Sequence, residues 1–216
     1  MRASLSRLGG AVLVVGAALG IVVDVGLSVT PSNRPTTNPT VIALGWAGMV
    51  VGLLLILALP VLISRLAVGS RLLSVIGFAG LVMAFATYFL ILGLERAVDE
   101  PYLVTHHVDV SHGPPLGMLV VLLAGGFARI VGGVVFGIAA LRAGAVSRVA
   151  ARLIIASSVI FASGLIPHIP EFVDVVSGVM LLVGLGICGL QLLGVWAPVD
   201  SGTHAPQPDT NMGAAV

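Results

Sequence analysis

Arg129 stands in the middle of Leu116 to Leu141, an apolar stretch with no other charge, and shares a four-residue interval with Gly125, Gly133 and Gly137. On a helix these positions fall on one stripe: three without a side chain and one guanidinium. Such a stripe lets another helix come close, and it forces the guanidinium to face protein or water. A charge at mid-bilayer costs at least ~2.5 to 3.5 kcal/mol on insertion scales, so Arg129 needs a partner.

Asp24 offers the opposite charge, because Gly16, Gly20 and Asp24 recur at the same interval. Counted inward from one side, Asp24 lies ~8 Å deep and Arg129 ~20 Å deep. Side chains lean toward the N-terminus of their own helix, so the two heads converge if the helices are antiparallel. The expectation is an intramembrane Asp24–Arg129 ion pair, with the first and fourth spans packed through their glycine stripes. Asp174, followed four residues later by Gly178, ranks second as a partner. Tyr88, Thr87 and Ser163 fall at the level of Asp24, whereas the other half of the membrane receives mainly Ser157, Ser158, Cys188 and Gln191. A conduction path needs polar groups along its whole length, so this distribution points to a vestibule open on one side. Singly, such residues serve as interhelical hydrogen bonds.

A second group of chemically capable residues is His106, His107, Asp109 and His112, with His168 and Glu171 in a later loop. Imidazole and carboxylate together suit zinc or another divalent cation. On a helical turn His106 and Asp109 would be neighbours, and in an extended loop His107 and Asp109 would share a side; the spacing forces neither. The competing reading is a solvated, pH-responsive loop. No organic cofactor is expected.

The elements that must position these residues are transmembrane helices. The chain of 216 residues is 58% hydrophobic and 9% charged, with a mean hydropathy of +1.16, far from the usual soluble balance of about 25% charged residues. Six apolar runs are long enough to cross about 30 Å of hydrocarbon: Leu8 to Val29, Val41 to Ser64, Leu72 to Leu94, Leu116 to Leu141, about Leu153 to Ile169, and Phe172 to Trp196. The fold class expected is an all-α integral membrane protein, a single domain over residues 1–196. Residues 197–216, polar and proline-containing, read as a disordered cytoplasmic tail.

Arginines orient the bundle. Arg2, Arg7, Arg65, Arg71, Arg142, Arg148 and Arg152 fall on one side, Arg34 and Arg96 on the other, which places both termini in the cytoplasm of a bacterial inner membrane. The first span reads as uncleaved, since no small-x-small site follows it. A net charge of +1 with no basic run excludes nucleic acid, and the lone Cys188 excludes a disulfide framework. No dinucleotide, P-loop, metalloprotease or nucleophile-elbow motif is present.

The sparse polar inventory fits a non-enzymatic membrane component first, an accessory subunit or scaffold. A transporter or outward-facing binder of a small charged solute comes second, and a metal-dependent membrane enzyme using the external histidines third. The partners expected are the lipid bilayer and another membrane protein or a second copy of the chain.

Overall fold

The computed structural model describes residues 2–30, 37–66, 71–107, 116–144, 146–164 and 172–195. Those residues build helices α1 (Arg2–Val29), α2 (Pro39–Leu66), α3 (Arg71–Thr105), α4 (Leu116–Ala143), α5 (Arg148–Gly164) and α6 (Phe172–Leu193), with no strand among them. Long apolar segments take this form because in hydrocarbon every backbone N–H and C=O must be satisfied within its own segment. The ends are capped by local chemistry. The Asn38 side chain accepts the Thr40 N–H at 2.9 Å ahead of Pro39, and Ser147 Oγ accepts the Ala150 N–H at 3.1 Å to start α5. Gly194, at φ +76°, ends α6 by donating to the Gln191 carbonyl at 3.0 Å while Val195 donates to Leu190 at 3.1 Å.

Five helices, all but α5, are long and apolar enough to cross a membrane. The expected fifth run, Leu153 to Ile169, is met by a helix that starts earlier, at Arg148, and is described as far as Gly164. Its 17 residues reach only ~25 Å at 1.5 Å per residue. The Thr30 to Thr40 connection falls mostly outside the described residues, as do Trp196 and the tail.

The third run also differs from expectation, continuing past Leu94 as helix to Thr105. Two π-helical turns, Ala86–Ile91 and Glu95–Asp99, make this continuation work. In each, the ladder switches to i→i−5: Leu92 donates to the Thr87 carbonyl and Glu100 to the Glu95 carbonyl. The second precedes Pro101, whose missing N–H and bulky ring would break an ordinary helix interior. Widening the turn in front of it moves the carbonyl that the ring would strike.

The helices close a ring in sequence order. α1 packs on α2 and α6, α3 on α2 and α4, and α5 on α4 and α6. Glycines mark the close approaches. A Cβ on Gly10 would come within 2.8 Å of the Gly189 carbonyl where α1 crosses α6. One on Gly45 would come within 2.9 Å of the Gly93 carbonyl between α2 and α3, and one on Gly80 within 2.5 Å of the Gly132 Cα between α3 and α4. The expected packing of the first span on the fourth is overturned. Gly16 faces Leu54 and Leu55 of α2, and Gly20 faces Val51 and Leu182, on α2 and α6. Gly125 meets Thr87 of α3, while Gly133 and Gly137 meet Ser158 and Ile155 of α5. In a ring, each helix spends its small residues on the two helices beside it.

Gly132→Val should therefore lower stability by about 1 to 3 kcal/mol, the usual cost of overpacking, because the contact it would strike is backbone. Gly117→Ala, with nothing within 4 Å, should show no loss. Thermal unfolding of the two variants in detergent, followed by size exclusion, compares them directly.

Candidate functional site

A cavity of about 110 Å³ opens in the ring toward the end where α1 and α3 finish and α2, α4 and α6 begin. Its apolar wall includes Leu27, Leu44, Phe85, Leu92, Leu181 and Leu182, and the polar residues set into that wall are Asp24, Tyr88, Arg96 and Arg129. Gly45, Gly48, Gly93 and Gly178 line it as well, so much of the space is room that side chains would have filled. Helix α3 supplies the longest lining, from Ala84 to Arg96, and both ends of that lining bracket its first π turn.

Arg129 is 8% exposed. Its Nη2 donates to Ser177 Oγ on α6 at 2.9 Å, and that hydroxyl in turn donates to the Asp174 carbonyl at 2.7 Å. The guanidinium carbon sits 4.1 Å from the centre of the Phe161 ring on α5 and 5.4 Å from that of Tyr88 on α3. The two rings meet edge to face, 5.5 Å apart at 88°. Ser158, one helical turn before Phe161, reaches the Arg129 carbonyl at 3.4 Å. Nε has no hydrogen-bond acceptor.

Asp24 lines the same cavity from α1. Its carboxylate lies against Gly178 of α6, where any side chain would collide with it, and its buried Oδ2 has no hydrogen-bond partner. Asp24 is near enough to Arg129 and Arg96 to feel both charges. It does not touch Arg129, however, and the direct Asp24–Arg129 ion pair expected from spacing is not formed: Ser177 and two aromatic rings hold the guanidinium instead. Magnitudes show why that suffices. A hydrogen bond to a charged group contributes about 1.5 to 3 kcal/mol and a cation–π contact about 0.5 to 2 kcal/mol, together comparable with the ~2.5 to 3.5 kcal/mol insertion cost. Asp174, the second-ranked partner, is exposed and rests its carboxylate against Gly164 at the end of α5. Its hydrogen-bonded link to Arg129 runs through its backbone carbonyl and Ser177.

The other polar residues sort by depth and partner. Ser157 donates to its own helix at Ile154 and Ser163 to Ile160, so neither presents its hydroxyl to the cavity. His106 stacks on Tyr102 at 4.0 Å, with Nδ1 2.9 Å from the Tyr102 carbonyl, and His107 turns the chain at φ +51°. Asp109 and His112, like His168 and Glu171, lie outside the described residues. Among the described residues no three potential ligands converge as a metal site.

Three contributors escape sequence reasoning. Arg96 sits where a loop is expected, although Tyr88, Leu92 and Arg96 are four residues apart. Ser177 is neutral and is signalled only by its place beside Gly178, three residues after Asp174. Phe161 is one apolar residue among many, marked by a three-residue interval from Ser158. No protein-family model, curated protein or solved structure matches the chain.

Ser177→Ala should cost about 1 to 3 kcal/mol, because it strips a buried guanidinium of its hydrogen-bond acceptor. In double-mutant cycles with Arg129→Gln, unfolding in detergent should give a larger coupling energy for Ser177→Ala than for Asp24→Asn. The opposite order would reinstate the direct ion pair.

Proposed function

We propose that this chain is a multi-pass membrane protein whose helical ring carries a one-sided vestibule for a small charged solute, acting as a binder or as the outward-facing state of a carrier. One observation supports this above the scaffold reading: Arg129, nine-tenths buried, leaves its Nε without an acceptor while lining a cavity that also holds the unpartnered Oδ2 of Asp24. A purely structural charge would be expected to use its donors on the protein, since an unsatisfied buried polar group costs about 1 to 3 kcal/mol. A solute or a cluster of waters entering the cavity would recover that cost.

In this reading α5 serves as the sixth span, and both termini are cytoplasmic, as the arginine asymmetry implies. The cavity then faces outward. The inner half of the ring, with Leu13, Leu55, Leu59, Leu62, Phe136 and Leu185 all fully buried, forms a closed apolar plug. Such a plug suits a binder as it stands and a carrier in its outward-facing state.

The scaffold reading keeps one observation of its own, the short hydroxyl bonds of Ser157 and Ser163 within their own helix, which contribute no lining. Ligand-dependent stability separates the two. A solute at one hundred times its Kd should stabilise the folded chain by about 2.7 kcal/mol, read as a shifted melting curve in nanodiscs. A panel of small anions, cations and zwitterions should contain at least one that shifts the parent and not Arg129→Gln. A panel that shifts neither would return the chain to the scaffold reading. Reporter fusions at the two termini should both report the cytoplasm.

A further inference from the structure

We infer that the solute is a small zwitterion, its carboxylate meeting Arg129 and its ammonium meeting Asp24. The inference rests on the vestibule reading above and names the solute class for that site.

Two residues of opposite charge that line one cavity each keep an atom without a hydrogen-bond partner; Arg96, the other charged residue of the lining, has interactions of its own. The Nε of Arg129 is a buried donor on a cation, and the Oδ2 of Asp24 is a buried acceptor on an anion. Both line the cavity, and neither reaches the other. A simple anion would satisfy Arg129 and add its charge to that of Asp24; a simple cation would satisfy Asp24 and add to Arg129. Only a molecule carrying both signs completes both groups without leaving a net charge between them, and an unpaired charge in such a setting is the costly outcome. A guanidinium also suits a carboxylate, because its planar donors match two oxygens.

Size narrows the class further. A cavity of about 110 Å³ holds a molecule of a few heavy atoms, and its leucine and phenylalanine walls would reward a short apolar substituent over a second polar one. Gly178 is the geometric condition for this arrangement. It lets the Asp24 carboxylate lie flat on α6, one residue from the Ser177 that fixes Arg129, so the two charged groups are referenced to the same helical turn. The spacing between them is set by a rigid element, as a site that discriminates by charge separation requires.

The test compares three probes of similar size on the full chain in nanodiscs by isothermal titration: L-alanine, propionate, which lacks the ammonium, and ethylamine, which lacks the carboxylate. β-Alanine is included as a zwitterion of longer charge separation. At least one zwitterion should bind saturably and about tenfold or more tighter than propionate and ethylamine, the scale of one lost charge contact. Asp24→Asn should erase the preference for zwitterions over propionate, weakening the zwitterions and tightening propionate as the opposing charge is removed, whereas Arg129→Gln should abolish both. Propionate binding as tightly as the zwitterions, or Asp24→Asn leaving zwitterion affinity intact, would overturn this inference while the vestibule reading stands. Saturable binding of none of the four to protein that melts cooperatively would overturn both. Gly178→Ala gives an independent check: if it folds, it should weaken the zwitterions and spare propionate.

Discussion

Helices in lipid have no hydrophobic reason to associate, so this architecture depends on how closely its backbones can approach. The ring closes because glycine meets glycine at three of its crossings, Gly10 with Gly189, Gly45 with Gly93 and Gly80 with Gly132. Dispersion over such contacts falls steeply with distance, and a gap of half an ångström already forfeits a quarter or more of it. The same economy of side chains that closes the ring leaves space at one end, where Gly45, Gly48, Gly93 and Gly178 line the cavity. Packing and cavity are thus two outcomes of one composition.

Within that frame Arg129 is held by several weak partners, and the groups in contact with it are all uncharged. Ser177 takes one donor, Phe161 and Tyr88 offer ring faces, and Asp24 contributes field without contact. Distributing the load has a chemical effect. A guanidinium locked in a bidentate carboxylate pair has spent its directional donors, whereas one steadied by a hydroxyl and two rings keeps a donor free for something else. The aromatic pair also fixes orientation, because Tyr88 and Phe161 meet edge to face and bracket the head from α3 and α5.

The fold was legible where hydropathy alone decides it. Long apolar runs, the arginine in the fourth and the acid in the first all stand in the sequence, and Asp24, Tyr88 and Arg129 do line one cavity. Partnership was harder to read. A four-residue glycine interval says that some helix comes near without saying which, and in a ring every helix has two neighbours competing for its stripes. Hence Gly16 and Gly20 serve α2 and α6, and Gly133 and Gly137 serve α5. A lone arginine in an apolar helix points to a negative charge, and a serine and a phenylalanine carry none. Arg96 was lost for a different reason: Glu95, Arg96, Asp99, Glu100 and Pro101 together resemble the end of a helix, and only the wider ladder of the two π turns carries α3 through them.

Those two turns have an evolutionary consequence. Each π turn is in effect an α-helix with one residue too many, accommodated by letting the ladder skip a step. Helix α3 thus carries two removable residues, and losing one would restore ordinary geometry while turning everything beyond it by about 100°. Substitution can change what stands at the cavity mouth only one side chain at a time. Gain or loss of a single residue in Ala86–Ile91 would instead re-index the whole outer segment, swinging Arg96 away and bringing a neighbour such as Glu95 or Ala97 round in its place. Such a change would spare the glycine crossing of α3 on α4, on the near side of both turns, but would also turn Gly93 away from Gly45, so altered selectivity by this route carries a repacking of α3 against α2 with it.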